Sequence, residues 1–151
     1  MKKFTLSTFV FIGFLGFASI SYAAPSVMTP NGGETLMKGQ AYNVSWTGGY
    51  QSVTDPTRSI SLMLVKEDGT TQVGWIQFGN SPSGNYYWDP TKVRSAISYP
   101  YNVDVPDWRY KIRAIDYNDP AGTGVAYDVS DSAFNISTLP STPPQQTTSI
   151  Q

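Results

Sequence analysis

Apolar and polar residues alternate with a period of two along much of this chain. From Ala41 to Thr47, Tyr42, Val44 and Trp46 alternate with Asn43, Ser45 and Thr47. Side chains two apart on a strand share a face, so the spacing predicts a strand with its aromatic set in a core and its polar set in water. Tyr110 to Tyr117 repeats the pattern, with Tyr110, Ile112 and Ala114 on one face and Lys111 and Arg113 on the other. In Asn85 to Asp89, Tyr86 and Trp88 oppose Tyr87; in Ala133 to Ile136, Phe134 and Ile136 face inward. Ile60 to Lys66 breaks the alternation. Met63 and Val65 are as apolar as Ile60, Leu62 and Leu64, which predicts a central strand covered on both sides. Gln72 to Phe78 is strand-like, but its pattern does not settle which face is inside.

Turn chemistry punctuates these runs. Asn31-Gly32-Gly33 supplies the positive φ angles of a tight turn, and Asp68-Gly69 marks a hairpin between Ile60–Lys66 and Gln72–Phe78. Ser26 to Thr29 is stopped by Pro30, which suits an edge strand. Thr35 to Lys38 and Val125 to Val129 add short extended pieces, and Asn80 to Gly84 and Asn118 to Gly124 read as turns. Pro90 to Asp107 reads as a long loop, with one helical turn expected at Lys92 to Ala96. Seven to eight short strands and no long helix predict an all-β, immunoglobulin-like antiparallel β-sandwich.

The ends of the chain have a different composition. Met1 to Ala23 has Lys2 and Lys3, then the apolar run Phe9 to Ile20, then Ser21-Tyr22-Ala23 as an A-x-A-like cleavage site. The run is short for a bilayer span, so residues 1–23 are expected to be an export signal and the protein to be secreted or on the cell surface, with no membrane span in the mature chain. The alternative is an uncleaved anchor. Residues 24–137 form the expected domain. Residues 138–151 are rich in Pro, Ser, Thr and Gln, without hydrophobic period, and are expected to be a disordered tail.

Charge and composition then narrow the function. The chain has no Cys and no His, which excludes disulfides, thiolate chemistry and imidazole catalysis. Ten basic and 11 acidic residues give −1; without Lys2 and Lys3 the balance is 8 against 11, or −3. Such a chain lacks the basic face that nucleic acid rewards. No carboxylate spacing marks a catalytic pair, so no enzyme and no cofactor are expected.

Four pieces of the sequence stand in a familiar order: Pro30-Asn31-Gly32-Gly33-Glu34 with Gly39 and Trp46; Gly84-x-Tyr86-x-Trp88; Tyr110-Lys111-Ile112-Arg113; and Asp131-Ser132-x-Phe134-x-Ile136. Over Val27 to Ser137 the chain resembles the immunoglobulin-like domain of the Ser/Thr-rich, glycosylphosphatidylinositol-anchored membrane family. That domain occurs in fungal proteins of cell-wall β-1,6-glucan assembly and in exported bacterial and archaeal proteins. The resemblance implies a sandwich fold, structural roles for the motif residues and no catalytic residues. The chain differs from the fungal members in having no long Ser/Thr-rich stalk and no terminal hydrophobic signal.

The expected role is a non-enzymatic module that binds a cell-envelope polysaccharide or a protein partner. The alternative is a structural spacer or subunit joined through a sheet edge. Tyr50, Trp75, Tyr87, Tyr99, Tyr101 and Trp108 fall outside the inferred inward faces. Sugar rings stack their C–H faces on such side chains, and Trp75, Tyr87 and Trp108 are the candidates; plain packing is the competing reading. Asp116, Asn118 and Asp119, with Asp128 and Asp131, are oxygen donors for Ca²⁺, or simply turn residues. They match no complete calcium loop, and no metal site is assigned. Arg109, Lys111 and Arg113 form a basic stripe, either a solvated face or a contact for an anionic wall polymer. Leu139-Pro140-Ser141-Thr142 is similar to a sortase signal without its context. Asn43 and Asn135 stand in glycosylation sequons.

Overall fold

The computed structural model describes residues 24–49, 60–80, 84–95, 102–117 and 126–140. The expected signal, the Tyr50–Ser59 loop, the Asn118–Gly124 turn and the tail beyond residue 140 lie outside them. The described residues contain strands and no helix, and so no helix long and apolar enough to cross a membrane.

Eleven strands are described: β1 (Ser26–Thr29), β2 (Thr35–Met37), β3 (Tyr42–Thr47), β4 (Ile60–Lys66), β5 (Gln72–Asn80), β6 (Gly84–Trp88), β7 (Lys92–Arg94), β8 (Asn102–Asp104), β9 (Trp108–Asp116), β10 (Ala126–Val129) and β11 (Phe134–Ser137). A three-stranded sheet has the order β1-β3-β6. An eight-stranded sheet runs β2-β11-β9-β4-β5-β7-β8, with β10 also paired to β9. All pairs are antiparallel except β2 with β11, which is parallel.

The two sheets share one core. Val27, Val44, Trp46 and Trp88 of the small sheet join Leu36, Leu62, Leu64, Ile112, Phe134 and Ile136 of the large one in a single buried cluster. The period-two spacing produces this directly: each strand sends every second side chain inward. Full burial of one such side chain stabilises the fold by ~1.5–3 kcal/mol. The polar atoms of the aromatic members are satisfied. Trp88 Nε1 donates to the Lys92 carbonyl at 3.0 Å, and the Tyr110 hydroxyl donates to the Pro106 carbonyl at 2.9 Å. β4 is buried on both faces between β9 and β5, as its sequence predicts.

The first and last motifs of the resemblance touch. The Glu34 carboxylate accepts from the Asn31 and Gly32 amides at 3.0 and 2.7 Å, which closes the turn. Asn31 Nδ2 donates to Asp131 Oδ2, and the Asp131 amide donates to Asn31 Oδ1, both at 2.7 Å. Beneath them the buried Ser130 hydroxyl donates to the Pro30 carbonyl and accepts from the Ile112 amide, each at 3.0 Å. Gly32, at φ 132°, leaves room for this: a Cβ there would lie 2.3 Å from the Ser132 Cβ.

Two expectations are corrected. The helical turn expected at Lys92 to Ala96 is replaced over its described residues by a strand: Lys92–Arg94 is β7, antiparallel to β8 and paired to β5 at Trp75 and Arg94. Gly74 permits this pairing, because a Cβ there would meet the Arg94 carbonyl oxygen at 2.6 Å. Tertiary contacts thus override the local preference, with Val93 buried in the core. The strands also outnumber the expected seven to eight; β7 and β8 both come from the stretch read as a loop.

Candidate functional site: an aromatic hollow on the large sheet

The second face of the large sheet does not stay bare. Met63 and Val65 of β4 and Ile115 of β9 form a separate small cluster there, with Trp75 of β5 and Val129 of β10 packed against it. Around it the face is open and aromatic. The Trp75 ring lies 4.7 Å from Phe78 and 6.4 Å from Tyr117, centroid to centroid, at tilts of 39° and 50°. Phe78, Tyr117 and Tyr127 are 42%, 50% and 57% exposed, too exposed for core residues. With Met63, Gln72, Arg113 and Ile115, the residues Trp75, Tyr117 and Tyr127 line a hollow of about 280 Å³.

Register explains how residues so distant in sequence meet. Across the sheet, Val129 pairs with Arg113, Arg113 with Met63, Met63 with Trp75 and Trp75 with Arg94. One rung therefore crosses five strands. Arg113 sits with its guanidinium carbon 4.9 Å from the Tyr127 ring centroid, within cation–π range. Its Nη2 donates to the Gly69 carbonyl at 2.5 Å, while its buried Nε has no hydrogen-bond partner among the described residues. Partial burial pushes the Tyr117 hydroxyl above its ordinary pKa of 10, with the Arg113 charge acting in the opposite direction.

The three aromatic candidates stand on different surfaces. Trp75 is the half-buried centre of the hollow. Tyr87 is 67% exposed on the small sheet, opposite Asn43 on β3. Trp108, 59% exposed, has the same parity on β9 as the core residues Tyr110 and Ile112, but projects beyond the end of the core. Trp108 stands between two shallow hollows, one reaching Asn135 and Ser137, the other Lys66 and Pro106. These three form no single row. Sequence reasoning missed Phe78, Tyr117 and Tyr127. The signal available was an aromatic residue near the end of β5, Phe78, and another just after β9, Tyr117. Tyr50, Tyr99 and Tyr101 lie outside the described residues.

The basic stripe divides into three fates. Arg109 pairs with Glu67 at 3.2 Å, Lys111 donates to the Asp131 carbonyl at 3.1 Å, and Arg113 enters the hollow. Among the candidate calcium ligands, Asp116 is buried, and Asp128 accepts from the Val27 amide at 2.7 Å. Asp131 is engaged by Asn31, and Asn118 and Asp119 lie outside the described residues. Among the described residues no group of His, Cys, Asp or Glu gathers to hold a metal.

Beside Trp108, Asp107 fastens the end of β11. Its carboxylate receives the Lys38 ammonium at 2.5 Å and the Thr138 amide and hydroxyl at 2.8 and 2.9 Å. The hydrogen bond from Lys38, then those from Thr138, lower its pKa from the ordinary 3.8 to about 2. A carboxylate depressed in the folded state stabilises above its unfolded pKa and loses that contribution as pH falls through its folded pKa. The stability difference between the natural chain and Asp107→Asn is therefore expected to shrink between a pH of about 4 and about 2. Urea titrations across that range read it directly; a constant difference would show that the carboxylate is not held.

No family model, curated protein or solved structure matches the chain. The residues of the hollow therefore carry the functional argument.

Proposed function

We propose that the chain is an exported, immunoglobulin-like, non-catalytic module that binds a polysaccharide on the outer face of its large sheet. The observation that carries this reading is Trp75, flanked by Phe78 and Tyr117 in an open hollow. Sugar rings have apolar C–H faces that cover an aromatic ring, while their hydroxyls find donors and acceptors at the rim. Gln72 and the Tyr117 and Tyr127 hydroxyls supply these. The resemblance to the Ser/Thr-rich anchored family, with its cell-wall members, and the signal-like first 23 residues point to the same setting.

Trp75→Ala is expected to weaken polysaccharide binding by about tenfold or more, roughly 1.4 kcal/mol, while the domain stays folded. Affinity electrophoresis in gels carrying single polymers measures this, with near-ultraviolet circular dichroism as the fold check. Unchanged mobility of the natural chain in every polymer would remove the reading.

A second reading, a structural subunit joined through a sheet edge, draws on β8. That strand ends the large sheet's order, is exposed along its length and leaves Val103 38% open to solvent.

A further inference from the structure

The hollow is charged as well as aromatic, and the charge is placed rather than diffuse. Arg113 and Arg94 occupy the same rung, on opposite sides of Met63 and Trp75. Neighbouring strands lie ~4.8 Å apart, so three strand steps set the two backbones ~14 Å apart, with the indole between them. Among the described residues, neither arginine has a carboxylate within ion-pair distance, whereas Arg109 on the same face is matched by Glu67. Arg113 is further prepared for a ligand. Tyr127 stacks on it, Gly69 fixes one end of its fork, and its Nε is a buried donor with no acceptor among the described residues. Folded proteins rarely leave such a donor unmatched, because each costs the full desolvation of the group. A chain whose overall balance is acidic gains nothing by leaving two cations without a carboxylate among the described residues around a half-buried tryptophan. An anion arriving with the ligand would match both.

Resting on the polysaccharide reading, we infer that the polymer taken by this hollow is acidic. A sugar ring stacks on Trp75, and negative groups on the ring or its neighbours meet Arg113 and Arg94. A guanidinium fork donates to both oxygens of one planar carboxylate, and it donates to a sulfate ester in the same way.

The test uses the purified chain in affinity electrophoresis and isothermal titration. The probes are polygalacturonate, the same polymer with its carboxylates methyl-esterified, and dextran sulfate beside neutral dextran. The variants are Trp75→Ala, Arg113→Gln and Arg94→Gln. The expected result is that the natural chain prefers a charged polymer over its uncharged counterpart by about tenfold or more. Each arginine variant is expected to erase most of that preference while leaving weak binding of the neutral form, and Trp75→Ala is expected to abolish both. Preference for polygalacturonate assigns the charge to carboxylate, and preference for dextran sulfate assigns it to a sulfate ester. Equal binding of charged and uncharged polymers overturns the acidic assignment and leaves the polysaccharide reading standing. Charged-polymer binding that survives Trp75→Ala would be plain ionic attraction, and overturns the assignment to this hollow. Binding to none of the four polymers overturns both readings. Arg113→Lys separates fork geometry from charge: it is expected to recover less than half of the lost preference, and full recovery would remove the fork from the argument.

Discussion

Phe134→Ala is expected to destabilise the domain by ~3–5 kcal/mol, the largest effect of any single substitution considered. Phe134 is completely buried and heads the fully buried side chains by volume. It stands on β11, opposite Tyr110, where the strand is inserted between β2 and β9. Truncation removes apolar contacts to both sheets at once and leaves a cavity that rigid strands on either side cannot close. A domain of this size holds ~5–15 kcal/mol in total, so the loss would consume a large share of it. Urea unfolding followed by tryptophan fluorescence gives the number. A change below about 1 kcal/mol would mean that the two sheets do not share one core.

Gly32→Ala is expected to be nearly as damaging, and Gly33→Ala provides the control. Both glycines have positive φ, 132° and 84°. Either alanine therefore meets backbone strain of ~1–3 kcal/mol. Only at Gly32 does the new Cβ also strike a neighbour, the Ser132 Cβ at 2.3 Å; at Gly33 nothing lies within 4 Å. The turn would have to move off the β10–β11 connection, taking the Asn31–Asp131 hydrogen bonds with it. Gly32→Ala is expected to cost ~2–4 kcal/mol, and more than Gly33→Ala by at least ~1 kcal/mol. Thermal unfolding of the pair in parallel measures the difference. Equal losses would show that backbone strain alone operates and that the two turns are not in close contact.

How far the sequence reached can be told strand by strand. Tyr42, Val44 and Trp46, then Tyr110, Ile112 and Ala114, then Phe134 and Ile136 were legible because alternation is a local signal that the pleat converts into a face. The double-sided apolarity of Ile60–Lys66 was legible for the same reason. The Lys92–Arg94 strand was not. Three residues carry no usable period, and what makes them a strand is the missing side chain of Gly74, some twenty positions earlier. The hollow was only partly legible. Trp75 stood out, but β5 carries register irregularities opposite Ile60, Leu62 and Leu64, which blurred its inside and outside. Tyr117 and Tyr127 reach Trp75 through β9 and β4, a neighbourhood that no local window contains. Arg113 looked like one member of a solvated stripe until pairing placed it opposite Met63.

The clamp between Asn31 and Asp131 spans 100 residues of chain. Beside it, among the described residues, β2, the second strand, pairs only with β11, the eleventh. The early part of the chain therefore waits for the late part. A ribosome releasing this protein from its N-terminus first would expose β2, the Asn31 turn and one wall of the core long before their partners exist. Until Phe134 to Ser137 has emerged, that wall of the core stays open, and a long loop must close before β2 is paired.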